Sequence, residues 1–167
     1  MNDFLVIMGV SGCGKSSLAA AVAAAEGLPL VEGDAHHSEA SREKMRQGIA
    51  LTDADRAGWL ERLADQLLAH PQGCVLTCSA LRRAYRERLR TAVPALRFAF
   101  LEIAPAEAQA RVAARSAHFF SPSLVDNQFA TLEPPIGEPR VLRLDATAPL
   151  IQLQAEVSTW LHSKEAA

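Results

Sequence analysis

The residues best suited to chemistry form one run, Gly9-Val10-Ser11-Gly12-Cys13-Gly14-Lys15-Ser16. Its spacing, G-x-x-x-x-G-K-[ST], is that of a phosphate-binding loop between a buried strand and a helix. Glycine is needed there because successive N–H groups must turn inward onto phosphate oxygens, in conformations that a Cβ disfavours. The helix N-terminus that follows adds partial positive charge where the anion sits. Lys15 supplies a mobile cation for the β- and γ-phosphates, and the Ser16 hydroxyl suits Mg²⁺. Residues 9–17, Ser17 included, are therefore expected to hold a nucleoside triphosphate.

Three other clusters lie at what should be strand ends. Glu32-Gly33-Asp34-Ala35-His36-His37 carries two carboxylates one residue apart, expected to point the same way and to face the loop. Such a pair suits a Mg²⁺ shell, with Glu32 or Asp34 as ligand, and suits a base for an attacking hydroxyl, for which Asp34 is preferred. The alternative is a solvated turn or a helix cap. Either histidine has the donors to meet a substrate hydroxyl. The second cluster is Thr77-Cys78-Ser79-Ala80-Leu81 followed by Arg82, Arg83, Tyr85, Arg86, Arg88 and Arg90. No aspartate ends this strand, so the usual acidic partner of a phosphate-binding loop is missing. Arginine forks recognise carboxylate or phosphate, and Arg82, Arg83 and Arg86 are nearest the strand end. A solvated basic face is the competing expectation. The third cluster holds Arg111, Arg115, His118, Phe119 and Phe120, then Asn127-Gln128-Phe129. Arg111 and Arg115 are one helical turn apart, and the segment has the position of a lid whose arginines neutralise the transferred phosphoryl group. Pro149, after the last strand, is placed beside the adenine opposite Arg111.

Strands and helices must alternate to position these groups. Apolar runs at Phe4–Met8, Leu28–Val31, Cys74–Cys78, Phe98–Ile103 and Val141–Leu144 predict buried strands. Ser16–Ala25, Asp53–Leu68, Leu81–Ala92, Pro105–Ala114 and Leu150–Leu161 have helical length or periodicity. Thr52 is a capping residue before an acidic first turn, and Pro105 suits the start of a helix. The alternation implies parallel pairing in a three-layer α/β domain, with ligands gathering beyond the carboxyl ends of the strands.

The 167 residues suit a single domain, 1–167. Hydrophobic residues make up 49% and charged residues 22%, a globular balance. A net charge of −2 gives no basic field for nucleic acid. No apolar run has membrane-spanning length, and the first strand begins too early to leave room for a signal peptide. Cys13, Cys74 and Cys78 have neither disulfide nor metal spacing, which points to a reducing cytoplasm.

Several motifs together resemble the gluconate kinases, small enzymes that use ATP to phosphorylate D-gluconate at its 6-hydroxyl. They are MGVSGCGKS (8–16), EGDAHH (32–37), EKM (43–45), G-x-x-L-T-D-x-D-R-x-x-W-L (48–60), CSAL-x-x-x-YR (78–86) and HFF…QF-x-x-LE-P (118–134). The resemblance covers nearly the whole chain. It implies a shikimate-kinase-like, five-stranded parallel sheet, Mg·ATP as donor, often a homodimer, and a lid at about 115–128. It also implies Lys15, Asp34 and Arg115 as catalytic groups. Substrate contacts would come from Asp34, His37, Ser79, His118 and one of Arg82, Arg83 or Arg86. Nucleotide contacts would come from 9–17, Arg111 and Pro149, and metal contacts from Ser16 and Glu32. Ser38, Ser41, Glu32, Ala117 and Asn127 depart from the usual family residues. The Ser41 change is expected to remove a polar contact near the substrate, and Ala117 to stiffen the lid. The alternatives are another small-molecule kinase of this fold, acting on shikimate or another sugar acid, and an ATP-dependent regulatory binding protein.

Overall fold

Strand and helix alternate as the apolar runs require. The computed structural model of the chain describes residues 3–114 and 123–164. In order, the elements are β1 (Asp3–Met8), α1 (Lys15–Glu26), β2 (Leu30–Glu32), a 3₁₀ turn (Gly33–His36), α2 (Glu39–Arg46), α3 (Asp53–Leu68), β3 (Gly73–Thr77), α4 (Arg83–Ala92), β4 (Arg97–Glu102), α5 (Pro105–Ala113), α6 (Ser123–Thr131), β5 (Val141–Asp145) and α7 (Leu150–Leu161). All five strands are parallel, in the order β2-β3-β1-β4-β5.

From β1 the chain moves out to β2 at one edge, then returns through β3 and β4 to β5 at the other. Right-handed crossovers put α1 on one face and α3 and α4 on the opposite face. The packing agrees: α1 lies on α7, and α3 on α4. The central strands are covered on both sides, so Leu5–Met8, Cys74–Leu76 and Phe98–Leu101 form the middle of the core. Because every strand runs the same way, Met8, Glu32, Thr77, Glu102 and Asp145 end on one edge of the sheet.

Two element starts differ from the sequence expectation by two residues for local reasons, and two helices add to it. β2 begins at Leu30 rather than Leu28, because α1 ends at Gly27 in the left-handed region (φ 66°) and the Leu28 N–H donates back to Ala23 O. α4 begins at Arg83 rather than Leu81, since Ala80 has φ 47° and Arg82 is extended. α2 was not anticipated: its N-cap, Ser38, accepts from Ser41 N at 3.1 Å. α6 was not anticipated either. Asp53–Leu68 and Leu150–Leu161 form helices over the expected residues. α3 opens with a capping box in which Thr52 and Asp55 satisfy each other's N–H groups.

Candidate active site

The phosphate-binding loop leaves β1 and enters α1 through Gly14, whose φ of 95° is closed to most side chains. Several donors of the cradle bond to the protein itself. The Lys15 ammonium donates to Gly9 O (2.9 Å) and Val10 O (3.1 Å). The Ser11 N–H donates to Oε1 of Gln128, on α6, at 2.6 Å. Arg111 reaches from α5 to Gly12 O (3.4 Å) and Cys13 O (3.5 Å), and also to Ala146 O (3.2 Å). It thus bridges the loop and the segment leading to Pro149, the N-cap of α7. The structure brings those two predicted nucleotide contacts to one side of the loop.

The acidic partner missing from β3 comes from the neighbouring strand. Glu32 and Thr77 are register partners, so the two strand ends lie side by side. Glu32 Oε2 accepts from the Ser16 hydroxyl at 3.1 Å and from the Thr77 hydroxyl at 2.7 Å. A carboxylate and a hydroxyl are hard oxygen donors that fit Mg²⁺, which takes one or two such ligands plus phosphate oxygens and water. No cluster of three or more His, Cys, Asp or Glu with metal-site geometry occurs among the described residues.

Asp34 does not extend the strand. Gly33 starts the 3₁₀ turn, so the two acids separate, Glu32 toward Ser16 and Asp34 into the cleft. Gly33 has no alternative here, because a Cβ would lie 2.0 Å from Thr77 O. Its carbonyl accepts from Trp59 Nε1 at 2.8 Å and its N–H donates to Thr77 Oγ1 at 3.0 Å. His37 stacks on Trp59 with ring centroids 4.3 Å apart. Its Nε2 lies 3.5 Å from Asp34 Oδ1, and its side chain is 5% exposed against 66% for Asp34. The buried Nδ1 has no partner among the described residues. Nε2 is thus the ring nitrogen turned toward Asp34, and Nδ1 the one turned into the core.

The loop and Asp34 share one cleft, open to solvent, while Glu32 lies behind Ser16 and does not line it. The cleft is lined by Lys15, Ser16, Asp34, His37 and Ser79, by Arg56 and Trp59 of α3, and by Leu124, Asn127 and Gln128 of α6. Arg56 is 9% exposed. It donates to the Tyr85 hydroxyl at 3.3 Å and stacks over that ring at 5.6 Å. Asp53 feels its charge, yet the Asp53 carboxylate is taken by the Tyr85 hydroxyl at 2.6 Å, which holds its acid form below the usual carboxylate range. Among the described residues, Arg56 has no carboxylate at salt-bridge distance.

The basic helix behaves differently from expectation. Arg86, expected at the substrate, is fully buried and faces away from the cleft. It pairs with Glu138 (2.6 Å) and donates to Ala80 O and Glu133 O. Arg90 shares the same carboxylate at 2.8 Å. Burial alone would raise the Glu138 carboxyl; the two arginines outweigh it and hold it below its ordinary value. The face is thus an internal ion cluster, neither substrate site nor solvated stripe. Arg82 and Arg83 are exposed at the start of α4 and do not line the cleft; Arg83 N–H is capped by Glu133 at 2.9 Å. Ser41 is buried in the α2 cap, not at the cleft wall, so the expected loss of a substrate contact does not follow. Burial pushes the Cys74 thiol to about 11 and that of Cys78 to about 12, making both inert. Arg115, Ala117, His118, Phe119 and Phe120, and with them most of the expected lid, lie outside the described residues.

Residues 4–135 match the AAA domain family. A gluconokinase of Gluconobacter oxydans is 44% identical over 144 residues, covering 84% of this chain and 81% of the relative. The chain belongs to the gluconokinase family. The thermoresistant gluconokinase of Escherichia coli is 39% identical, over 89% of this chain and 87% of its own. The crystal structure of a gluconokinase from Sinorhizobium meliloti superposes with TM-score 0.87 at 42% identity, covering 95% of this chain and 91% of the other. An unliganded sugar kinase from Janibacter superposes at 0.92 and 38% identity, covering 99% and 98%.

Within this gluconokinase-family chain the motifs acquire separate physical jobs. In LTDADR…WL, Thr52 and Asp55 cap α3, Asp53 holds Tyr85, Arg56 enters the cleft, and Trp59 props Gly33 and His37. Sequence reasoning missed Arg56, Trp59 and Gln128 as site residues. For Arg56 a signal existed: it continues the Trp59, Leu60, Leu63, Leu67 stripe of α3, and a charge on a buried stripe is informative. For Gln128 the signal was only its place in the QF-x-x-LE-P motif, which does not say what it touches.

Proposed function

We propose that this chain transfers the γ-phosphoryl group of ATP to the 6-hydroxyl of D-gluconate. The observation that carries the reading is one cleft holding a phosphate cradle, an exposed carboxylate and a buried guanidinium with no carboxylate at salt-bridge distance among the described residues. Buried charges are otherwise paired, so Arg56 marks the place of a carboxylate belonging to the acceptor. Its relatives, named gluconokinases, support the choice of sugar acid.

Nucleotide binding draws Lys15 off the Gly9 and Val10 carbonyls onto the phosphates, while the amides of the loop, Ser11 included, take the phosphate oxygens. Arg111 and the segment before Pro149 flank the base. Ser16 and Glu32 would hold Mg²⁺, which neutralises phosphate charge when bound. Arg56 receives the gluconate carboxylate in place of the Arg82, Arg83 and Arg86 trio. Asp34, oriented by His37, lines up the 6-hydroxyl. The oxygen forms its bond to γ-phosphorus as the bond to the β–γ bridging oxygen breaks. The hydroxyl proton passes to Asp34, and ADP leaves. A cytoplasmic location and a homodimeric state belong to the same reading. Among the described residues, no helix is long and apolar enough to cross a membrane.

A coupled ADP-release assay across gluconate, related aldonates, shikimate and nucleoside monophosphates tests the proposal. Gluconate should give the highest kcat/KM, with phosphate on C6 of the product by NMR. Absence of gluconate-stimulated ADP release would overturn it.

A further inference from the structure

The contact between Gln128 and the loop is not explained by packing alone. α6 is a fixed platform. Leu124 and Val125 are buried, Gln109 of α5 donates to Asp126 at 3.1 Å, and the chain just beyond is pinned by Glu133 N to Leu81 O at 2.7 Å. Leu124, Asn127 and Gln128 occupy one face of this helix, the face that lines the cleft. From that platform Gln128 reaches a single backbone group, the Ser11 N–H. The same peptide unit is held from its other end, where Val10 O accepts from Lys15. Two groups suited to phosphate, a loop N–H and the lysine ammonium, thus both bond to oxygens of the protein. Since Lys15 serves the β- and γ-phosphates, the peptide it grips belongs to the γ end of the cradle.

We propose that Gln128 positions the γ-phosphoryl group and distinguishes ATP from ADP. Its carboxamide oxygen holds the Ser11 N–H, a donor that the cradle would also offer to a phosphate oxygen. When ATP takes over that N–H, rotation about the terminal torsion turns Nε2–H toward the γ-phosphate. Such sp³–sp² torsions are broad, so the exchange is cheap. A carboxamide alone combines the acceptor for one state with the donor for the other; a carboxylate of the same shape offers only the acceptor. This assignment rests on the kinase reading and extends it to a residue on α6.

The test compares ATP and ADP binding by calorimetry, without acceptor, in wild type, Gln128→Glu and Gln128→Ala. Gln128→Glu keeps the size and the Ser11 contact but sets a negative charge against the γ-phosphate. Its ATP Kd should rise about 10- to 100-fold, the scale of a charge-assisted hydrogen bond lost or reversed, with ADP changed less than about threefold. Gln128→Ala should lower kcat about tenfold or more, with the acceptor KM changed less than about threefold. Equal weakening of ATP and ADP in Gln128→Glu, or no weakening of either, would overturn the proposal. Unchanged kcat in Gln128→Ala would do the same. Because the binding arm contains no acceptor, it remains decisive even if gluconate proves not to be the substrate.

Discussion

Arg56→Met offers the sharpest test of how the acceptor is read. Methionine fills much of the same volume without a charge. Among the described residues Arg56 has no carboxylate partner to orphan, so its removal forfeits one hydrogen bond and one ring contact there, both to Tyr85. The fold should lose only about 1–2 kcal/mol, visible as a fall of a few degrees in Tm. Binding is another matter. A buried, pre-oriented guanidinium meeting a carboxylate is worth about 2–5 kcal/mol when one partner is truncated. At about 1.36 kcal/mol per decade, kcat/KM for gluconate should fall about 30- to several-thousand-fold. The carboxylate is at the far end of the sugar acid from the 6-hydroxyl, so the loss should appear mainly in KM. The neutral polyol sorbitol, which lacks the carboxylate, serves as the control: its weak turnover should change little, and gluconate preference should collapse. Arg56→Lys should recover only part, because an ammonium lacks the planar fork. If gluconate and sorbitol decline together, or gluconate KM stays put, the carboxylate is not read by Arg56.

Asp34→Asn should lower kcat about 10²- to 10⁴-fold with a modest change in ATP affinity, measured by steady-state kinetics and nucleotide titration. Arg86→Met should cost about 3–5 kcal/mol in denaturant unfolding, because it takes one of two arginines from buried Glu138 and the donors from Ala80 O and Glu133 O, while Arg82→Ala and Arg83→Ala should stay within about 0.5 kcal/mol. The hydrogen bond from Lys44, then those from Thr52, hold the Asp55 carboxyl at about 2 against an ordinary 3.8. A lowered folded-state value stabilises above the unfolded one, so this contribution is present at neutral pH and fades as pH falls from about 4 to about 2. Partial exposure limits it to about 1 kcal/mol, and Asp55→Asn should flatten that part of the stability–pH curve.

The loop, the sheet and most helices were legible because each depends on short-range rules. Glycine spacing specifies the cradle, apolar runs the strands, and Thr52 the start of α3. Gly33 was also readable, since a glycine between two carboxylates at a strand end implies close backbone approach. What sequence could not resolve was direction. Arg82, Arg86 and Arg90 have the spacing of a common face, but whether it meets ligand, water or an internal carboxylate depends on Glu138, some fifty residues on. The Glu32–Thr77 pairing likewise depends on the register of two strands 45 residues apart. Gln128 is the extreme case, since its partner is a backbone group 117 residues away.

Glu32 and Asp34 are separated by one residue whose backbone is clamped at both ends, by Thr77 and by Trp59. The oxygen that would hold the ion and the oxygen that would take the proton are thus mounted on one short covalent ruler. The guanidinium assigned to the acceptor's tail is carried by a different element, α3, one turn before Trp59. Changes around Arg56 that leave Trp59 in place can reshape which sugar acid fits while the spacing between ion site and base stays put. The fold in effect separates the choice of substrate from the geometry of transfer.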